Sequence, residues 1–150
     1  MTSSEPAPPV VHLAFPPEPA LLGTVRLVVG IVARKAGVDE EGVEDLKVAV
    51  SETCAVAVGD LTWAGLSTPI ELDLVEEPDR FGVEIRDRVP AGEHAPSLPQ
   101  DGEVDDRQFG LALVGALVDG LHSTALEGGG HSTRFWLRRS REGRRPSPDA

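Results

Sequence analysis

A single cysteine, Cys54, stands in 150 residues. It cannot close an internal disulfide or supply a CxxC metal site, and a reducing compartment is the simplest setting. No apolar run reaches the roughly 18 to 20 residues of a membrane helix. The opening MTSSEPAPPVV has no basic segment followed by a long apolar core, so no secretory signal is expected. Positive charge is scarce: 14 Lys and Arg against 25 Asp and Glu give a net charge of -11. Arg138, Arg139, Arg141, Arg144 and Arg145 crowd the C-terminal end, so the rest is more acidic still. Such a body repels phosphate backbones, which argues against direct nucleic-acid binding and favours a basic protein surface as partner. His12, His94, His122 and His131 have no mutual spacing that suggests a metal site. A cytoplasmic location is expected.

The length fits one domain with a real core, and 40% hydrophobic with 26% charged residues is ordinary for a globular chain. Residues 1–9 are rich in Ser, Pro and Glu and read as a disordered leader. Residues 10–15 (VVHLAF) form a short strand stopped by Pro16 and Pro17. Leu21, Leu22, Val25, Val28, Val29 and Val32 recur at helical spacing, which predicts a helix over 18–36 ended by Gly37. Asp39 is a cap for a second helix, with Glu40 and Glu41 in its first turn and Gly59 as its close. The period then changes to two, and Ile70, Leu72, Leu74 and Phe81, Val83, Ile85 mark two strands. Residues 88–107 form a proline-rich loop, long enough to be functional or mobile. Residues 110–121 are an apolar third helix, and 122–127 and 132–137 are strands joined by glycines 128–130. The order β-α-α-β-β-α-β-β predicts an α+β two-layer sandwich: a mixed, mostly antiparallel sheet with helices on one face. The domain spans 10–138, and 139–150 is a basic disordered tail.

Four stretches invite a chemical reading: DLKVAVSETCAVAV (45–58), VEIRDRVPAG (83–92), FGLALVGALVDGL (109–121) and GGGHSTRFWL (128–137). Glu52 is a lone acid in an apolar helix, with Val56 on the same face one turn later. Cys54 lies on the buried face and reads as a small core residue, and Trp63 and Trp136 read as packing anchors. The order and spacing of the four stretches resemble the GHKL (Bergerat-fold, histidine kinase-like) ATPases, and within them the bacterial anti-sigma factor and serine-protein kinase family. The resemblance covers about residues 10–138.

That resemblance implies roles. Glu52 stands where the family has the base that orients the attacking hydroxyl. Val56 stands where an Asn oxygen would hold magnesium, and valine ligates nothing. Asp87 matches the acid that accepts from the adenine amino group, but the two glycines after it are Val89 and Ala91. A β-branched Val89 would resist a positive φ and add bulk toward the base. Gln108 replaces the first glycine before the third helix and Gly110 keeps the second, where bare amides would meet phosphate. Arg107 could pair with a phosphate, although Asp101, Glu103, Asp105 and Asp106 beside it have the wrong sign. Ser132 and Thr133 match the hydroxyl near the adenine edge, and Arg26 matches a helix-one arginine that contacts the sigma factor and its antagonist.

The expectation is an anti-sigma-like regulator, a homodimer contacting through helix one, that sequesters a sigma factor and answers to an anti-anti-sigma antagonist. Kinase chemistry would be lost or vestigial, with Glu52 a vestigial base, ATP a ligand whose contacts are eroded, and magnesium not held. The alternative is an active ATP-dependent serine kinase acting on the antagonist.

Overall fold

The computed structural model describes residues 9–93 and 106–139, with side chains for all of these except 106–108. The proposed leader (save Pro9), loop residues 94–105 and tail residues 140–150 lie outside the described residues. Strand β1 (Val11–Phe15) leads through a 3-10 turn at Pro19–Leu21 into helix α1 (Leu22–Lys35) and helix α2 (Glu40–Trp63). Strands β2 (Ile70–Glu76) and β3 (Arg80–Asp87), helix α3 (Asp106–Leu117), and strands β4 (Gly120–Ala125) and β5 (His131–Arg138) follow. The α+β order is the one the periodicity indicates.

The sheet runs β1-β2-β3-β5-β4 and every pairing is antiparallel, so the mixed sheet of the sequence reading contains no parallel pair. The helix between β3 and β4 does not make them parallel neighbours, because β5 returns between the two. Alternation sorts the strands into two faces. Ile70, Leu72, Leu74, Phe81, Val83, Ile85, Phe135 and Leu137 point to the helices and are buried with Val43, Leu46, Val50 and Leu61 of α2. Burying each of these larger side chains contributes roughly 1.5–3 kcal/mol.

No helix of the described residues covers the opposite face, and its charges pair with one another. The Arg86 guanidinium lies 2.8 Å from Asp73, 3.0 Å from Glu84 and 3.3 Å from Glu71. Burial alone would raise the Asp73 pKa, but hydrogen bonds from His12 and Arg86 outweigh it and hold the carboxyl below its ordinary value. Burial likewise opposes the charge on Arg86, and its carboxylate partners win, holding the guanidinium above its usual range. Arg80 sits over the Trp136 ring at 4.8 Å from its centre. The same indole fills the space a Cβ would need at Gly120, so a glycine is required opposite it.

Helix ends show where local signals hold. The Asp39 carboxylate accepts from the Gly42 N–H at 2.7 Å, as a cap should. Gly37 (φ 88°) ends α1, with Val38 N–H bonded back to Ala33 O. Gly59 does not close α2. The helix continues to Trp63 because Leu61, two residues on, is fully buried, and it ends at Gly65 (φ 68°), where Leu66 N–H returns to Leu61 O. The first turn of α3 begins four residues before Gly110, and β4 begins two residues earlier than its pattern suggested. Arg139, assigned by composition to the tail, belongs to the body: its side chain donates to Ala36 O (2.8 Å) and Glu77 O (3.0 Å) and pairs with Glu76 (2.8 Å).

Candidate functional site

Helix α2 is the spine of the helical layer. Residues 51 and 52 point about 100° apart around it, and they face different neighbours. Glu52 looks toward α3: its Oε2 lies 3.8 Å from where a Cβ on Gly110 would be. The half-buried Val56 follows one turn later, on the same face. Gly110 is buried inside α3, not in a bare turn ahead of it, so its amide is not among the free donors of the helix start. What Gly110 provides is a close approach of α3 to Glu52. The side chains of Arg107 and Gln108 lie outside the described residues.

The second part of the site is the end of β3. By alternation, Asp87 continues the helix-facing row of Phe81, Val83 and Ile85. Its Oδ1 accepts from the Val89 N–H at 3.0 Å, an Asx turn, and lies 3.2 Å from His131 Nδ1 on the paired strand. Asp87 and His131 are directly opposite in register. The glycine turn is pressed onto this corner, because a Cβ at Gly130 would collide with the Asp87 carbonyl oxygen and one at Gly129 would reach Pro90. The carboxylate is thereby fixed, with Oδ2 the atom free of these two contacts.

One expectation is corrected here. Val89 adds no bulk toward a ligand: its side chain is fully buried in the core, and no described residue other than glycine has a positive φ. Thr133 is buried and its hydroxyl lies 3.3 Å from that of Ser123 on β4. Ser132 is on the other face of the sheet and donates to Glu84 at 3.1 Å. His131 is the residue sequence reasoning missed. It carries no helical or metal-like spacing, and only the cross-strand register brings it to Asp87.

Arg26 is on the other flank of α2. It is exposed on α1 and its Nη1 donates to Ser51 Oγ at 3.2 Å. Trp63 is 60% exposed and anchors nothing, in contrast to the expectation, because the extended α2 carries it to the surface. Cys54 is the core residue expected: it is fully buried, and burial pushes its thiol pKa up to about 12.

The arrangement of two helices flanking a third over an antiparallel sheet, with an acid on the central helix and another at a strand end, matches a known family over residues 15–137. The chain belongs to the histidine kinase-like ATPase domain family. Among curated relatives of this histidine kinase-like ATPase domain, it is 30% identical over 119 residues to the serine-protein kinase RsbW of Oceanobacillus iheyensis, covering 73% of this chain and 75% of that one. It is 27% identical to RsbW of Bacillus licheniformis over 124 residues (75% and 76%) and 28% identical to RsbW of Bacillus subtilis over 120 (73% and 74%). The fold also matches a crystal structure of RsbU and RsbW domains from a Mycobacterium tuberculosis protein, with TM-score 0.64 and 21% identity over 89% of this chain. The chain spans 32% of that longer protein.

No helix among the described residues is long and apolar enough to cross a membrane, and no described group of His, Cys, Asp and Glu could hold a metal ion. At the position where the family resemblance implies a magnesium ligand stands Val56, whose side chain has no oxygen to offer. Asp87, in contrast, retains an acceptor of the right kind for an amino group.

Proposed function

We propose that the chain is a cytoplasmic partner-switching regulator that sequesters a sigma factor by protein–protein binding, as an anti-sigma factor does, with its kinase chemistry lost or vestigial. The observation that carries the reading is Val56 one turn from Glu52, on the flank facing α3. Phosphoryl transfer rests on positioning and on neutralising charge, and a carboxylate without a metal ligand beside it supplies neither. Glu52 could still accept a proton from a hydroxyl brought to it, which makes it a vestigial base.

The binding half is supported by the net charge of -11, which suits a basic partner, by the exposed Arg26, and by the likeness to RsbW proteins. An anti-anti-sigma antagonist would compete for the same surface, and a homodimer contacting near α1 belongs to the same reading. ATP, if bound, would rest its base on Asp87, with Arg107 and Gly110 nearer the phosphates and no magnesium. The test is co-purification with each sigma factor of the host, with and without ATP. Capture that does not need ATP is the expected result. Incubation with radiolabelled ATP, magnesium and the antagonist should leave the antagonist unlabelled, and robust serine phosphorylation would overturn the loss of kinase chemistry.

One observation favours the second reading, an active serine kinase: Asp87 is held by Val89 and His131 in a fixed pose with an oxygen to spare. Micromolar ATP affinity in a titration together with phosphorylation of the antagonist would establish it.

A further inference from the structure

Helix α3 has a composition at odds with its exposure. From Phe109 to Leu117 it holds no charged or polar side chain, yet only Gly110 and Val114 of these residues are buried. A helix apolar on every side is ordinarily enclosed. Gly110 meets Glu52 of α2, and Gly115 is turned about 140° away from it. That second flank lies over β4: a Cβ on Gly115 would sit 3.7 Å from Leu121 Cδ2, and Leu111, one turn earlier, is exposed on the same side. Strand β4 is the outermost of its sheet, and among the described residues nothing pairs with its far side. Leu126 N–H bonds to Gly130 O, in the register that sets His122 opposite Arg134 and Thr124 opposite Ser132. Bonding alternates along an antiparallel pair, so Leu121, Ser123 and Ala125 turn their N–H and C=O outward. The strand GLHSTA has no lysine or proline to blunt this edge. Leu121 and Ser123, opposite the buried Phe135 and Thr133, are on the helix side of the sheet, and His122 and Thr124 are on the open side.

We infer that the β4 edge takes an extended segment of a partner protein, added to the five-stranded sheet, with apolar side chains beneath α3 and acidic ones on the open side. The outward groups of Leu121, Ser123 and Ala125 hold its backbone, along a strand of six residues or about 20 Å. Every second side chain then packs against Leu121 and under Leu111 and Gly115, where the missing side chain of the glycine leaves room. Charge selects the other set. His122 and Arg134 are directly opposite and both exposed, and among the described residues Arg134 reaches Glu84 on β3 only at 3.9 Å. Strand β4 itself carries no acid, and Asp119 just ahead of it accepts from the Arg138 N–H at 2.7 Å. An acid on the incoming strand beside His122 therefore meets cationic surface, and a lysine there is repelled. A second copy fits this edge poorly, because pairing β4 with β4 sets a second His122 and Arg134 on the side that is already cationic. Strand β5 separates the edge from Asp87 on β3, and Arg26 is on α1, so the site stands whether or not a sigma factor is sequestered.

The probe is a short peptide of alternating valine and glutamate, titrated into the full chain while backbone amide signals are followed by NMR. The signals of Ser123 and Ala125 should shift saturably, and the matching valine–lysine peptide should bind about tenfold more weakly or less. Ser123→Pro removes one outward N–H and no bond of the β4–β5 ladder, so it should abolish binding and keep the fold. Gly115→Leu fills the space under α3, meets Leu121 at an ordinary contact distance and improves the helix, so it should also abolish binding with the melting temperature kept or raised. It carries the test alone if Ser123→Pro does not fold. His122→Glu should reverse the preference between the two peptides. Unmoved Ser123 and Ala125 signals at millimolar glutamate peptide would overturn the proposal, and so would equal binding of both peptides. Protection of these two amides from hydrogen exchange in the free protein, as strong as that of β5, would show the edge already covered and overturn it as well. If Ser123→Pro or Gly115→Leu splits a dimer in light scattering, the occupant is a second copy and the proposal falls.

Discussion

The two flanks of α2 carry different chemistry on one helix. On the α3 side, Glu52 faces Gly110 and Val56 follows it, so function there would hang on one missing oxygen. On the α1 side, the exposed Arg26 and, further along α2, Ala55, Gly59 and Trp63 offer a single charge and open, largely apolar surface. Metal-dependent chemistry fails when one ligand is replaced, since valine cannot coordinate magnesium at all. A binding surface is spread over many contacts and survives substitution more gradually. One helix can therefore lose a reaction on one side while keeping a partner on the other.

The largest effect should come from removing what both flanks share. Leu46 is fully buried on the core face of α2, and Leu46→Ala should cost about 2–5 kcal/mol in denaturant unfolding and lower every binding activity together. If only one flank suffers, α2 is not a common spine. Next, Gly110→Leu forces a side chain toward Glu52 and into the α2–α3 contact, an overpacking of about 1–3 kcal/mol. Nucleotide affinity should fall in a titration while sigma capture by the folded fraction is unchanged. Arg26→Glu should do the reverse, weakening capture by about 1 kcal/mol or more and leaving nucleotide affinity alone. A loss of both would erase the distinction between the flanks.

Two smaller effects serve as controls away from either flank. Cys54, with its thiol pushed up to about 12 by burial, should resist alkylation at pH 8 in the native protein and react at once in denaturant. Labelling of the native form would show α2 opening. Asp73, on the open face of the sheet, has its pKa lowered in the fold, so its stabilising effect is present above the ordinary carboxylate value near 3.8 and is lost as pH falls through the depressed one. Asp73→Asn should flatten that acid limb of a stability profile slightly and leave both flanks as they were.

Much of this was legible from local pattern. The helical period named α1 and α2, the alternation named β2 and β3, and the Asp39 cap and Gly37 stop came from residues within a turn of the feature they control. The pairing of Glu52 with Val56 on one face also followed from helix geometry alone. The misreadings share a cause. Gly59 looked like a stop because the burial of Leu61 beyond it depends on the sheet below, and Trp63 looked like an anchor because the extra turn that carries it outward was not foreseen. Gly110 gave the start of α3 too late, since the polar residues ahead of it carry no apolar period.

The sequence by itself determined the element order, the acidic charge and the placing of Val56 one turn after Glu52, since each is written in composition or in spacing along a few residues. The tertiary structure alone decided that His131 meets Asp87 across 44 residues, that Trp136 takes the place of a side chain at Gly120, and that Arg26 on α1 reaches Ser51 on α2. Those depend on strand register and helix packing, which bring together groups distant in the chain and leave no periodic trace in it.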